Sequence, residues 1–80
     1  MNASPVRHLD TRGLLCPLPV LRARKVLAGL PVGAMVQVDA SDPAALKDFP
    51  ALCAAAGHAL ESVETVGEDH FRFCIRRGEK

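Results

Sequence analysis

The chain has 80 residues and a formal net charge of +1, which is the size of one small domain. Hydrophobic residues make up 49% of it and aromatic residues only 4%, a composition that favours a soluble fold packed with aliphatic side chains and argues against a disordered chain. The near-neutral charge excludes a globally basic protein that wraps nucleic acid. A chain this short leaves little room for an enclosed cavity, so we expect its chemistry at the surface.

The first half of the chain predicts a strand, a helix and a second strand. The strand covers residues 6–10. The helix over 16–30 begins with Cys16 as N-cap and Pro17 as its first helical residue, because proline lacks an N–H that would have no partner there. Alternating apolar and polar residues over 34–40 predict the second strand. The helix has one apolar face, which we expect to pack on the sheet: Pro19, Val20, Ala23, Val26, Leu27 and Leu30.

A second helix follows and is predicted to be irregular. Asp42 caps it and Pro43 is its first helical residue. Pro50 is expected to kink or split it near Phe49, and Gly57 to end it. Its predicted core face consists of Ala45, Leu46, Phe49, Leu52, Cys53 and Ala56.

The last third of the chain predicts a hairpin with strands at 59–66 and 70–77 and a turn at 67–69. The complete order is βαβαββ, which predicts an α/β two-layer sandwich: a four-stranded mixed sheet with both helices on one face and the other face open. The core side of the last strand consists of Phe71, Phe73 and Ile75, and its outer side of His70, Arg72, Cys74 and Arg76.

Cys16 is the residue whose position points to chemistry. A cysteine at a helix N-terminus is exposed to the positive end of the helix dipole, which favours the thiolate. Ser or Asp would cap a helix better, so a cysteine there favours function over simple capping. The prolines at 17 and 19 lack N–H groups, so the N–H of Leu18 is the donor left for the sulfur.

The residues after Cys16 favour a carrier over a redox enzyme. Pro19 stands where a Cys-x-x-Cys motif has its resolving thiol, so Cys16 cannot close a local disulfide. A lone reactive thiol suits a protein that holds a covalent adduct until a partner takes it.

The charge pattern indicates a partner. Residues 1–30 hold five basic residues against one acidic residue, which suggests a basic face and an acidic partner. Arg12 and Arg22 could also add positive field at Cys16. Two leucines on the exposed helix face lie beside basic groups, as in a docking surface. The candidate docking residues are Leu18, Leu21, Arg22 and Lys25.

The other cysteines and the histidines indicate no second site. Cys53 falls on the core face of the second helix, and Cys74 falls on the open sheet face without a helix terminus to activate it. The histidines lack the paired spacing of a zinc site, so we expect no metal. Widely spaced cysteines without a secretory signal or a membrane-spanning stretch predict the cytoplasm and no membrane partner, with export by a non-classical route left open.

Three segments together closely resemble the TusA family of small sulfur carriers: LDTRGLLCPLPVLRARKVL over residues 9–27, Asp42-Pro43 after the second strand, and DFPALCAAAGH over 48–58. The resemblance covers nearly the whole chain and implies one carrier domain over 1–80, with a fold like the C-terminal domain of bacterial translation initiation factor three. It also implies that Cys16 bears a persulfide. The supporting positions of the motif are Asp10, Arg12, Gly13, Pro17, Leu18 and Pro19.

The family resemblance further implies partners and a pathway. Its members receive sulfane sulfur from a cysteine desulfurase or a rhodanese, and the implied acceptor is a DsrE-like or TusBCD-like protein. The best-known destination is 2-thiolation of the wobble uridine in tRNA, and relatives in sulfur-oxidising bacteria move sulfur or thiosulfate instead. Such a carrier has sulfurtransferase-type chemistry without being a stand-alone enzyme, needs no cofactor, and is expected to be a monomer alone.

Two readings of other classes remain. The fold analogy to a translation factor suggests a nucleic-acid-binding module, but three Phe, no Tyr or Trp and near-neutral charge disfavour direct contact with nucleic acid. The other reading is a non-catalytic, partner-binding regulatory module in which Cys16 only caps a helix.

Overall fold

The computed structural model describes residues 6–79, and its elements follow the predicted order βαβαββ. The first three are β1 (Arg7–Asp10), α1 (Leu18–Ala28) and β2 (Met35–Ala40). The last three are α2 (Ala45–Ala56), β3 (Ala59–Gly67) and β4 (His70–Arg76). Among residues 6–79, no helix is long and apolar enough to cross a membrane.

The four strands form one mixed sheet in the order β1-β2-β4-β3. β1 and β2 are parallel, as a helical crossover requires, and β4 lies antiparallel between β2 and β3. Both helices pack on the same sheet face, so the predicted two-layer α/β sandwich is confirmed. This arrangement brings the loop after β1 next to the loop after β2, since parallel strands end at the same sheet edge.

One aliphatic core joins the helices to the sheet, and it contains a single stacked aromatic pair. Phe49 and Phe73 are both fully buried, with ring centroids 4.6 Å apart. The predicted core face of α1 is confirmed, since Ala23 and Leu27 are fully buried. Buried side chains of the core are Ala23, Leu27, Val36, Val38, Ala40, Ala45, Phe49, Leu52, Cys53, Phe73 and Ile75.

The opposite sheet face carries charged side chains, as predicted. The Asp39 carboxylate on β2 contacts two side chains of β4: the Nε2 atom of His70 lies 2.8 Å from it, and Arg72 donates hydrogen bonds of 3.1 and 3.2 Å. These contacts, that of Arg72 foremost, hold the pKa of Asp39 below its usual value. Cys74, which follows these charged positions on β4, is half-buried.

The start of α1 differs from the prediction. Pro17 is the N-cap, Leu18 is the first helical residue, and Cys16 therefore lies before the cap. The reason is a tight turn ahead of the helix, in which the N–H of Leu18 donates to the carbonyl of Leu15 at 2.9 Å. The prediction of Cys16 as N-cap and Pro17 as first helical residue is wrong by one position.

The second helix also begins later than predicted and is more regular. Asp42 and Pro43 form a turn ahead of α2, and their carbonyls accept the N–H groups of Ala45 and Leu46 at 2.9 and 3.0 Å. The helix then continues through Pro50, so the expected split is wrong. Pro50 is exposed, and it removes only one backbone hydrogen bond on the solvent side.

Two further expectations for α2 have clear outcomes. Leu46 is predicted on the core face but is 43% exposed, because it lies at the edge of the apolar stripe formed by the buried residues Ala45, Phe49, Leu52 and Cys53. Gly57 ends the helix as predicted, and its φ of +79° is a left-handed conformation that favours glycine.

Candidate functional site

The candidate site is built on the loop that joins β1 to α1, residues 11–17. The base of the loop is anchored by Thr11, a fully buried residue whose N–H and hydroxyl both donate to the carbonyl of Asp39, at 2.8 and 2.7 Å. Further along, the N–H of Gly13 donates to the Ser41 hydroxyl at 2.8 Å. The φ of Gly13 is +86°, which explains a glycine at this position of the loop.

The cysteine is exposed, and its backbone is held by a carboxylate. The N–H of Cys16 donates to the Asp42 Oδ2 atom at 2.8 Å, across 26 residues of sequence. Asp42 was predicted only as a helix cap. Its contact with the cysteine loop was missed, although Asp42-Pro43 is among the segments that carry the family resemblance.

The thiol of Cys16 lies at a mostly apolar groove between α1 and α2. The groove has a volume of about 340 Å³ and is open to solvent. Two charged residues line it, Arg24 from α1 and Asp48 from α2. The remaining lining consists of Cys16, Pro17, Val20, Leu21, Ala51, Leu52 and Ala55.

The electrostatics at the thiol contradict the predicted activation by a helix N-terminus. The nearby Asp48 carboxylate, as a hydrogen-bond acceptor for the thiol, is the main cause that raises the pKa of Cys16, with further contributions from desolvation and from the negative charges of Asp48 and Asp42. The N–H of Leu18, predicted to serve the sulfur, is used by the Leu15 carbonyl. The two carboxylates therefore disfavour the thiolate of Cys16. Asp48 was missed as a site residue, and the signal available was its place in the DFPALCAAAGH segment.

The other predicted motif residues have different surroundings. The guanidinium of Arg12 pairs with Asp10 through hydrogen bonds of 2.9 and 3.0 Å. Its positive charge is therefore balanced by Asp10 and adds less positive field at Cys16 than predicted. These contacts with Arg12 lower the pKa of Asp10 to about 2. Pro19 is buried, so it packs in the core while Leu18 beside it is exposed.

The four candidate docking residues lie together on the outer side of α1. Leu18 and Leu21 are 47% and 51% exposed, as predicted. Together with Leu9 and Val26 they line a shallow depression of about 480 Å³ that also includes Arg22 and Lys25. Leu21 lines both this depression and the groove at Cys16, so the two surfaces are continuous.

The two other cysteines lie away from the groove. Cys53 is buried in the core as predicted, and its burial raises the pKa of the thiol. Cys74 is on the opposite face of the sheet. Within residues 6–79, no group of three or more His, Cys, Asp or Glu side chains is arranged to hold a metal ion.

Comparisons with known proteins agree with this architecture. A family model described as Sulfurtransferase TusA matches residues 7–77. The sulfur carrier protein TusA of Allochromatium vinosum is 46% identical over 66 residues, which cover 81% of this chain and 87% of that protein. The crystal structure of the SirA-like protein from Desulfitobacterium hafniense superimposes with a TM-score of 0.81 at 25% identity, covering 94% of this chain and 100% of that chain. The chain therefore belongs to the TusA family of sulfur carrier proteins.

Proposed function

We propose that Cys16 accepts a sulfane sulfur as a persulfide from a donor protein, a cysteine desulfurase or a rhodanese, and passes it to a DsrE-like or TusBCD-like acceptor protein. The observation that carries this proposal is the placement of Cys16. Its thiol is exposed on an anchored loop, at the entrance of an apolar groove, in a chain of the TusA family. The fold thus leaves Cys16 exposed to solvent, whereas Cys53 is buried.

The transfer is an exchange between sulfur atoms that needs no external oxidant. The Cys16 thiolate attacks the outer sulfur of the donor persulfide, a new S–S bond forms to Cys16, and the donor S–S bond breaks. The donor leaves as a thiolate, which takes up a proton. In the second step, the acceptor thiolate attacks the outer sulfur of Cys16–S–SH, and Cys16 leaves as a thiolate in the same way.

The carboxylate of Asp48 favours the protonated form of Cys16 in the free carrier. The thiolate is the nucleophile in sulfur exchange and the form that is most readily oxidised. Because Asp48 raises the pKa of Cys16, the free protein keeps its sulfur less reactive toward small oxidants. In the exchange, the proton of the Cys16 thiol passes to the departing donor thiolate, so the overall step neither gains nor loses a proton.

The outer side of α1 is the proposed docking surface. Exposed Leu18 and Leu21 supply apolar contact, and Arg22 and Lys25 supply positive charge beside them. This combination fits a partner surface with apolar side chains bordered by Asp or Glu. Because Leu21 also lines the groove at Cys16, a partner seated here reaches the sulfur.

The proposed destination of the sulfur is 2-thiolation of the wobble uridine in tRNA, reached through acceptor proteins without direct contact between this chain and nucleic acid. The alternative is a sulfur or thiosulfate carrier in dissimilatory sulfur oxidation. The proposal takes the chain as one cytoplasmic carrier domain, monomeric by itself and without a cofactor. A partner-binding regulatory module is the second candidate, and the raised pKa of Cys16 is the observation that favours it.

Intact-protein mass spectrometry without reductant tests the proposal. The protein is incubated with a cysteine desulfurase plus cysteine and, separately, with thiosulfate or polysulfide. We expect a gain of one sulfur mass that disappears with dithiothreitol, is absent from Cys16→Ser and is retained by the matched variant Cys74→Ser. Loading by the desulfurase supports the biosynthetic pathway, and loading by thiosulfate alone supports the oxidative one. A folded protein that gains no sulfur from any donor would refute the carrier function and leave the regulatory module.

A further inference from the structure

The carboxylate of Asp42 joins the cysteine loop to the start of the second helix. Its Oδ2 atom accepts the N–H of Cys16 at 2.8 Å, and its Oδ1 atom accepts the N–H of Ala44 at 3.0 Å. Both oxygens are therefore occupied, each by a backbone donor from a different segment. These two contacts hold the pKa of Asp42 below its usual value, so the side chain is ionised at neutral pH.

The neighbouring residue Ser41 tethers the same loop but at a different point. Its hydroxyl accepts the N–H of Gly13 at 2.8 Å, and among the described residues it forms no hydrogen bond with Cys16. Ser41 attaches the loop as a whole, whereas Asp42 contacts Cys16 directly. Substituting the two residues one at a time therefore separates these two effects.

We propose that Asp42 is a positioning residue for sulfur transfer, because its carboxylate fixes the backbone of Cys16 so that the sulfur stays at the entrance of the groove between α1 and α2. The transfer part of this inference rests on the proposed function. The positioning part concerns the thiol alone and is measured without any donor.

The rate of sulfur exchange depends strongly on the position of the attacking sulfur. Sulfur exchange requires the attacking sulfur to approach the donor S–S bond along its axis, and a partner docked beside the groove presents that bond in one direction only. A reacting group displaced by about 1 Å can lose as much as about 100-fold in rate. Small reagents that approach from solvent in any direction do not have this requirement.

Two substitutions of Asp42 and two controls test the proposal. Asp42→Ala removes both contacts. Asp42→Asn keeps the size of the side chain, but its amide offers a single acceptor oxygen for two N–H donors. Ser41→Ala is the matched control for loop attachment, and Glu68→Gln in the exposed β3–β4 turn is the control for loss of one negative charge.

Three measurements are made on proteins whose far-UV circular dichroism matches the wild type. We expect both Asp42 variants to speed hydrogen exchange of the Cys16 amide and to slow sulfur uptake at saturating desulfurase by about 10-fold or more. Alkylation of Cys16 by iodoacetamide at neutral pH should stay equal or become faster, because a negative charge near the sulfur is lost. Ser41→Ala and Glu68→Gln should keep sulfur uptake within about 2-fold of the wild type.

If sulfur uptake slows while alkylation of Cys16 stays equal or becomes faster, the effect is one of positioning and not of lost structure. The proposal is wrong if Asp42→Asn takes up sulfur at the wild-type rate, if Ser41→Ala loses as much, or if alkylation falls together with uptake. Should Asp42→Ala fail to fold, Asp42→Asn decides the result. If the wild type takes up no sulfur from any donor, the proposed function fails, and unchanged exchange of the Cys16 amide in Asp42→Asn would then overturn the positioning as well.

Discussion

The thiol of Cys16 and the carboxylate of Asp48 line the same groove, one from the loop before α1 and the other from α2. Asp48 raises the pKa of the thiol, foremost as a hydrogen-bond acceptor, and so disfavours the thiolate of Cys16. A cysteine that is exposed and yet weakly acidic reacts slowly with small oxidants. In the proposed transfer, the reactivity of Cys16 therefore depends on what a docked partner brings to the groove.

The substitution Asp48→Asn is expected to make Cys16 more reactive. The neutral amide no longer stabilises the protonated thiol, so the pKa of Cys16 should fall and its alkylation at pH 7 should accelerate. The measurement is the pH profile of alkylation by iodoacetamide in a Cys74→Ser background, with Glu68→Gln as charge control. A midpoint that stays in place or moves to higher pH would show that Asp48 does not control the thiol.

A negative charge introduced on the docking surface should weaken binding of the partner without unfolding the protein. Leu21→Glu places a carboxylate on a 51% exposed site that is proposed to contact an acidic partner. We expect the KM for the desulfurase to rise about 10-fold, equivalent to about 1.4 kcal/mol of binding. The matched control is Val32→Glu, at a 56% exposed position in the loop after α1, which should leave the KM unchanged. Equal effects of the two variants would exclude the outer side of α1 as the docking surface.

Phe49 is expected to be a major contributor to stability. Its ring is fully buried and stacks on Phe73, so Phe49→Ala leaves a cavity and should lower the free energy of unfolding by about 3–5 kcal/mol. Leu46→Ala, on the same helix but 43% exposed, should change it by only about 0.5 kcal/mol. Urea denaturation followed by circular dichroism measures both, and a large loss in Leu46→Ala would contradict the helix orientation.

The ion pairs of Asp39 on the open sheet face should make stability depend on pH. The pKa of Asp39 is lower in the folded protein than in the unfolded chain, where it is about 3.9. The stabilisation is thus complete above that value and is lost as the pH falls through the lower, folded pKa.

Asp39→Asn should therefore lower the free energy of unfolding at pH 7 by about 2 kcal/mol, and the difference from wild type should shrink in acid. The control is Glu61→Gln, whose exposed pair with Arg76 should contribute less than about 1 kcal/mol. Urea denaturation at pH 7 and at pH 3 provides the comparison. A difference that is the same at both values would show that charge at Asp39 is not the cause.

Local patterns in the sequence determined the elements and their faces. Alternation over 34–40 indicates β2, the 3.6-residue spacing of apolar side chains indicates the buried side of α1, and Gly57 indicates the end of α2. These signals arise between residues that are close in sequence, so they can be read without the fold. The same holds for Cys16 as the candidate residue, since the Cys-Pro-Leu-Pro motif is contiguous.

The environment of Cys16 was decided only by the tertiary structure. The turn at Leu15 moves the helix start away from the cysteine. Asp42 and Asp48 come from the other side of the crossover; Asp42 holds the backbone of Cys16, and both carboxylates raise the pKa of its thiol. A pKa depends on charges within a few ångströms, and those charges are brought there by the parallel pairing of β1 with β2 and the packing of α2 beside α1. The sequence alone thus identified Cys16 as the candidate residue, and the fold determined which carboxylates lie near its thiol and raise its pKa.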